Sequence, residues 1–255
     1  MTRPATPVTF EGFVEEARAD PRVVALFVYG SRGKGRPTAH SDHDFGLIVA
    51  EPAVDAWRAR LAALDPAVFD GRVFSMAAFE AWAAWDGPER WVRYALEGAP
   101  VLFDRSGQIR GLIEAKARVP PAEREAFIDQ SLDHFINQVY RCAKCRRDGD
   151  RFAARLEAIQ AIAPLLDALF ALDGGRMRPY AKYLTWELGA RPPGALPFPA
   201  ADFLARLERL LAGDDLAALQ ELLGALKPNC PALGHDAVFD AWGEALPWML
   251  GFRPS

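Results

Sequence analysis

Residues 23–50, VVALFVYGSRGKGRPTAHSDHDFGLIVA, decide how this chain is read. Residues 23–29 are apolar, of strand length, and β-branched or aromatic in character. Gly30-Ser31 breaks that run, and a short loop rich in Gly, Arg and Lys follows. The loop ends in Ser41-Asp42-His43-Asp44, after which residues 45–50 are apolar again. Side chains alternate along a strand, so Asp42 and Asp44, two positions apart at its mouth, are expected to share one face. Two carboxylates opposite a Gly-Ser turn point to divalent-metal chemistry on a phosphate.

Around this unit, helices and strands alternate. Residues 10–19 read as a helix capped by Thr9 and stopped by Asp20-Pro21. Residues 52–64 carry Val54, Trp57, Leu61 and Leu64 at helical spacing. Residues 68–76 read as a third strand, interrupted or turned at Asp70-Gly71. A tryptophan-rich helical region covers residues 77–85 and 88–96, split by Asp86-Gly87. A short strand at 100–103 and a helix at 108–118 complete an α/β (α+β) arrangement with a small mixed sheet, assigned to residues 1–119.

Pro120-Pro121 changes the texture, and no strand pattern follows it. Residues 122–147 place Ile128, Leu132, Phe135, Val139 and Cys142 on one helical face. Residues 151–172 carry Phe152, Leu156, Ile159, Ala163, Leu166 and Phe170 as an apolar stripe, with a kink or local break expected at Pro164. Further helices are expected at 180–188, 203–211, 216–226 and 237–250. Residues 120–255 thus read as an all-α helical bundle domain.

Composition narrows the class. With 51% apolar residues, 25% charged residues and a net charge of −4, the chain has the make-up of a soluble globular protein. No apolar run reaches the roughly 18–20 residues needed to span a bilayer, and the N-terminal stretch lacks the apolar core of a signal peptide. An odd cysteine count of 3 does not suggest a disulfide scaffold, so the expected compartment is the cytoplasm. A mildly acidic chain without a long basic run argues against nucleic acid as a partner.

A phosphate-transfer site needs close backbone approach, metal ligands and positive charge. Gly30 permits the tight turn, and Ser31 offers a hydroxyl and an N–H to a phosphate oxygen. Arg32, Lys34 and Arg36 bring positive charge, and Asp42 and Asp44 are hard oxygen donors suited to Mg²⁺. Taken together, YGSRGKG at 29–35 followed by SDHDFGLIV at 41–49 resembles the signature of the polymerase-beta-like nucleotidyltransferase superfamily. A catalytic domain followed by a helical bundle is similar, within it, to the small-molecule (aminoglycoside or lincosamide) nucleotidyltransferases.

That resemblance implies that Asp42 and Asp44 hold Mg²⁺ against the triphosphate of a nucleotide such as ATP, while Gly30, Ser31 and Arg32 bind the nucleotide. An acceptor hydroxyl would attack the α-phosphorus and pyrophosphate would leave. It also implies a third carboxylate on a neighbouring strand, as metal ligand or general base. Asp70 is the candidate, with a plain turn residue as its alternative because Gly71 follows it. Asp65, beside Pro66, reads as a turn residue and Glu80 as a solvated helix charge. RPYAKYL at 178–184 resembles the basic, aromatic helix that closes over the nucleotide, which would bring Lys182 to the β- or γ-phosphate; a solvated lysine is the alternative. Glu157 would activate the acceptor hydroxyl or serve as a surface charge at a helix start.

The expected function is therefore Mg²⁺-dependent transfer of a nucleoside monophosphate, AMP from ATP, to a hydroxyl of a small-molecule acceptor such as an antibiotic. A homodimer with a shared cleft is also consistent with the resemblance. The alternatives are a protein or RNA acceptor, as in antitoxin-like minimal nucleotidyltransferases, and a non-catalytic nucleotide-binding regulator. Cys142 and Cys145 have CxxC spacing without the further ligands that zinc requires. His134 reads as a core or interface residue, His43 as structural because it alternates away from the acid face, and the tryptophans mostly as packing.

Overall fold

The structure, a computed structural model, describes residues 8–213, 215–227 and 234–254. Residues 1–7, the beginning of the stretch read as lacking a signal-peptide core, lie outside the described residues. The chain divides into two units, Met1–Arg118 and Val119–Ser255. Among the described residues no helix is long and apolar enough to cross a membrane.

In the first unit, α1 (Phe10–Ala19) starts at Thr9, whose hydroxyl accepts the Gly12 N–H at 3.1 Å. Such a cap is worth about 1 kcal/mol. The strands are β1 (Val23–Val28), β2 (His43–Val49), β3 (Phe69–Phe74) and β4 (Val101–Asp104). They form one mixed sheet in the order β3-β2-β1-β4, with β1 antiparallel to β2 and β4, and β2 parallel to β3. Between the strands run α2 (Gly30–Gly33), α3 (Val54–Ala62), α4 (Met76–Ala81) and α5 (Arg93–Leu96), and α6 (Ile109–Lys116) follows β4.

Both faces of the sheet are covered, each by a different set of side chains. Phe10, Phe13 and Ala17 of α1 and Trp57 of α3 are buried with Leu26, Phe45, Leu47, Phe69 and Val73 on one side. On the other, Phe27 and Phe74 pack with Phe79 of α4 and with Trp82, at ring separations of 5.0–6.4 Å. Phe27 pairs with Gly46 across the β1–β2 ladder, and a Cβ on Gly46 would lie 2.2 Å from the Phe27 ring. The glycine is the space that the ring fills.

Three local expectations need correction. The third strand is not interrupted at Asp70-Gly71: β3 runs from Phe69 to Phe74 in continuous register with β2. A Cβ on Gly71 would meet the Phe45 ring at 2.2 Å, so this glycine admits a core aromatic from the next strand rather than making a turn. Gly30-Ser31 opens not a loop but the single turn of α2, in which Gly33 and Lys34 donate back to the Tyr29 and Gly30 carbonyls at 3.0 Å. The tryptophan-rich region is less helical than its spacing implies, because α4 stops before Trp82 and Ala83 takes a left-handed φ of 54°.

Helices are the regular elements of the second unit among its described residues, with turns and extended segments between them. The pair α7 (Arg124–Arg147) and α8 (Arg151–Leu172) is joined by a three-residue turn at 148–150, and α9 (Ala181–Ala190), α10 (Ala200–Ala212) and α11 (Asp215–Leu226) follow. Two short helices, Asp236–Asp240 and Ala245–Gly251, stand where one helix was expected at 237–250. The α7 stripe of Ile128, Leu132, Phe135, Val139 and Cys142 is buried. The α8 stripe is not buried as a whole: Leu166 and Phe170 are inside, but Phe152, Leu156 and Ile159 are exposed, Phe152 by 75%. In that first half of α8 the buried face is instead Ala154, Ala158 and Ala161, small residues that allow α7 close approach. Helix α8 also continues through Pro164 rather than breaking there.

Candidate functional site

The parallel register of β2 and β3 pairs Asp44 with Asp70. Neighbouring strands lie about 4.8 Å apart, and paired residues project to the same side of the sheet. Two carboxylates from different strands therefore stand side by side at the start of both strands. Asp44 is held from a second direction by the turn after β1. The Tyr29 N–H donates to the Asp44 carbonyl at 2.9 Å, and Gly30 follows with a φ of +62°. A Cβ on Gly30 would fall 1.9 Å from Asp44 Oδ2, so the carboxylate lies directly against the glycine backbone.

Asp42 precedes the pleat, since β2 begins at His43. Its position is fixed by Arg32, whose guanidinium donates to the Ser41 carbonyl at 2.8 Å and the Asp42 carbonyl at 2.9 Å. Arg32 thereby ties α2 to the acidic loop. Ser31 is buried in the first turn of α2. Lys34 sits with its ammonium 3.9 Å from the Tyr94 ring centre. His43 lies on the opposite, apolar face, stacked on Phe10 at 3.9 Å, as alternation requires. Burial, and then the Arg32 charge, hold its imidazole below the usual histidine range.

The same face carries three further groups that sequence reasoning missed: Tyr29, Arg72 and Glu89. Arg72, two residues beyond Asp70 on β3, pairs with Glu89 at 2.7 Å and lies 5.7 Å from the Trp82 ring centre. Burial pushes the Tyr29 phenol well above its usual range; Arg72 opposes that rise, while the charges of Asp44 and Asp70 add to it. Tyr29 thus feels both carboxylates and the guanidinium at once. The signal for Arg72 was present in the i, i+2 spacing after Asp70. Nothing in the sequence pointed to Glu89, which comes from a separate segment.

Other candidates are placed elsewhere. Asp65 is a turn residue, its carboxylate accepting the Ala67 N–H at 2.9 Å and its carbonyl those of Val68 and Phe69. Glu80 is exposed, and its carbonyl accepts Lys116 at 2.8 Å. In the second unit, Glu157 is buried and paired with Arg141 at 2.7 Å, so it is not a surface charge. Lys182 is exposed at the start of α9, 5.1 Å from the Tyr183 ring centre. Cys142 is buried on α7 and both it and Cys145 are free thiols.

Among the described residues, no three His, Cys, Asp or Glu side chains form a ready-made metal cluster. The donor chemistry nevertheless suits Mg²⁺, which takes one or two carboxylates and completes its shell with water and substrate phosphate. Asp44 and Asp70 supply that number from adjacent strands, while Asp42 lies in the loop two residues before Asp44 and does not complete a three-carboxylate cluster with them.

No protein-family model matches the chain, and no curated protein matches it. Among solved structures, it is similar to the crystal structure of a nucleotidyltransferase-like protein from Exiguobacterium sibiricum 255-15. The two are 16% identical, the match covers 95% of this chain and 77% of that chain, and the TM-score is 0.44.

Proposed function

We propose that the chain is a nucleotidyltransferase that uses a divalent cation, Mg²⁺, to move a nucleoside monophosphate, AMP from ATP, onto a hydroxyl of a small-molecule acceptor. The observation that carries this reading is the alignment of Asp44 with Asp70 beside the glycine turn at Gly30. It supports a carboxylate pair on rigid strands, next to backbone that a phosphate can approach closely.

Asp44 and Asp70 would hold the cation, which when bound neutralises phosphate charge and stabilises the leaving pyrophosphate. The N–H groups of Gly30 and Ser31 open α2, where a helical turn leaves its first donors without intrahelical partners, so they are suited to a phosphate oxygen. Arg32 keeps the acidic loop in place through the Ser41 and Asp42 carbonyls. The acceptor oxygen forms a bond to the α-phosphorus as the bond to pyrophosphate breaks. The hydroxyl proton passes to a carboxylate of the pair, for which Asp70, the more exposed of the two, is better placed to reach solvent afterwards.

The test incubates the protein with each labelled nucleoside triphosphate, Mg²⁺ and a panel of small hydroxylated acceptors. Acceptor-dependent pyrophosphate release is expected, falling on the order of 10²–10³-fold in Asp44→Asn and in Asp70→Asn, the size of loss seen on removing one transition-state-stabilising group. Release that both variants retain would sink the proposal, as would absence of any nucleotide binding at millimolar Mg²⁺.

A further inference from the structure

Arg72 occupies an awkward place. It projects from the same face of β3 as Asp70, two residues on, and its register partner on β2 is Gly46. That glycine offers no side chain to separate Arg72 from Asp44, and the space above it is filled by the Phe27 ring. Neighbours two apart on a strand, and diagonal neighbours across strands, lie within reach of a side chain as long as arginine's. A mobile guanidinium here would settle on the carboxylates and cancel the charge that draws a cation.

Yet the ion pair found at Arg72 is with Glu89, 2.7 Å away. Glu89 is brought over by the segment after α4, and the Trp82 ring stands beside the guanidinium at 5.7 Å. The Arg72 and Glu89 side chains are 43% and 36% exposed, so this is a surface pair that contributes little to stability and can be altered without unfolding the chain.

We propose that Glu89 is a positioning residue of the acid site. It draws Arg72 away from Asp70 and Asp44, so that a divalent cation rather than the guanidinium becomes the partner of those carboxylates. This rests on the metal-dependent reading above. Loss of the Glu89 charge releases Arg72 to compete with the cation, and removal of the Arg72 charge abolishes the competition.

The experiment measures Mn²⁺ binding to the full chain, without nucleotide, by calorimetry and by electron paramagnetic resonance. Wild type is compared with Asp44→Asn, Glu89→Gln, Arg72→Met and the double variant Glu89→Gln/Arg72→Met, with circular dichroism melts confirming that each is folded. Glu89→Gln is expected to weaken Mn²⁺ binding several-fold, and Arg72→Met is expected to restore it in the double variant. Such suppression is a coupling that a merely structural role for Glu89 would not produce. Wild-type affinity in Glu89→Gln, or a double variant as weak as Glu89→Gln, overturns the clamp alone. Mn²⁺ binding that Asp44→Asn leaves unchanged overturns the metal site itself, and the clamp with it.

Discussion

Gly30 shows how much one residue can determine. It has to be glycine for two separate reasons. Its φ of +62° lies in the left-handed region, and its missing side chain leaves the room that the Asp44 carboxylate occupies. The first reason was legible in the sequence, because Gly-Ser after an apolar strand marks a tight turn. The second was not, because the approach of Asp44 depends on how β2 registers against β1. Gly30→Ala places a methyl 1.9 Å from Asp44 Oδ2, which cannot be relieved without moving either the turn or the acid. A loss of about 1–3 kcal/mol in folding stability is expected from the backbone strain, measured by urea denaturation. Cation binding should fall further than stability does. A variant with wild-type Mn²⁺ affinity would show that Asp44 can shift without consequence and that the close approach is incidental.

At the scale of elements, β3 is where sequence and structure part most instructively. Asp70-Gly71 looks like a turn, because glycine in a strand is usually a weak point. The strand persists because Phe45, fully buried on β2, lays its ring over Gly71 and fills the volume a side chain would take. That compensation joins residues 26 positions apart (71 less 45) and leaves no local trace. The exposed half of α8 has a related origin: a stripe of large apolar residues was read as the inner face, whereas the contact with α7 is made by alanines. Periodicity located both helices but could not say which side faces in. For β3 the consequence can be measured. Gly71→Ala would ordinarily gain strand propensity, worth roughly 0.5–1 kcal/mol, but overlap with a core ring at 2.2 Å outweighs it. A net loss of about 1–3 kcal/mol is expected. Phe45→Leu makes room at the same point, so the double variant should be more stable than the sum of the two losses, by about 0.5–3 kcal/mol of coupling. Strict additivity in urea midpoints would mean that the ring and the glycine do not depend on each other.

For the whole molecule, the fold class was the most legible feature. Alternating helix and strand patterns give way at Pro120-Pro121 to uninterrupted helical spacing, and the structure has a mixed sheet with helices followed by a helical region. The charges that the second unit buries were far less legible. Glu187 sits in a segment read only as a further helix, and its side chain is 0% exposed, between Arg176 at 2.8 Å and Arg191 at 2.8 Å. Only the i, i+4 relation to Arg191 could be seen in the sequence; Arg176 precedes the helix and reaches Glu187 through the fold. The two arginines differ in what they stand to lose. Arg191 is 44% exposed and can turn to water, whereas Arg176 is 7% exposed and cannot. Glu187→Ala therefore takes from a buried guanidinium one of its carboxylate partners; Asp173 at 2.8 Å is another. The expected cost is about 3–5 kcal/mol, the range for breaking a buried pair by removing one partner. Arg191→Ala, which removes the solvated partner, should cost about 1 kcal/mol or less. Urea unfolding followed by circular dichroism distinguishes them, since the second unit supplies most of the long helices. Equal small losses in the two variants would mean that Arg176 finds water or another acceptor once Glu187 is gone, and that the network does not hold α9 in place.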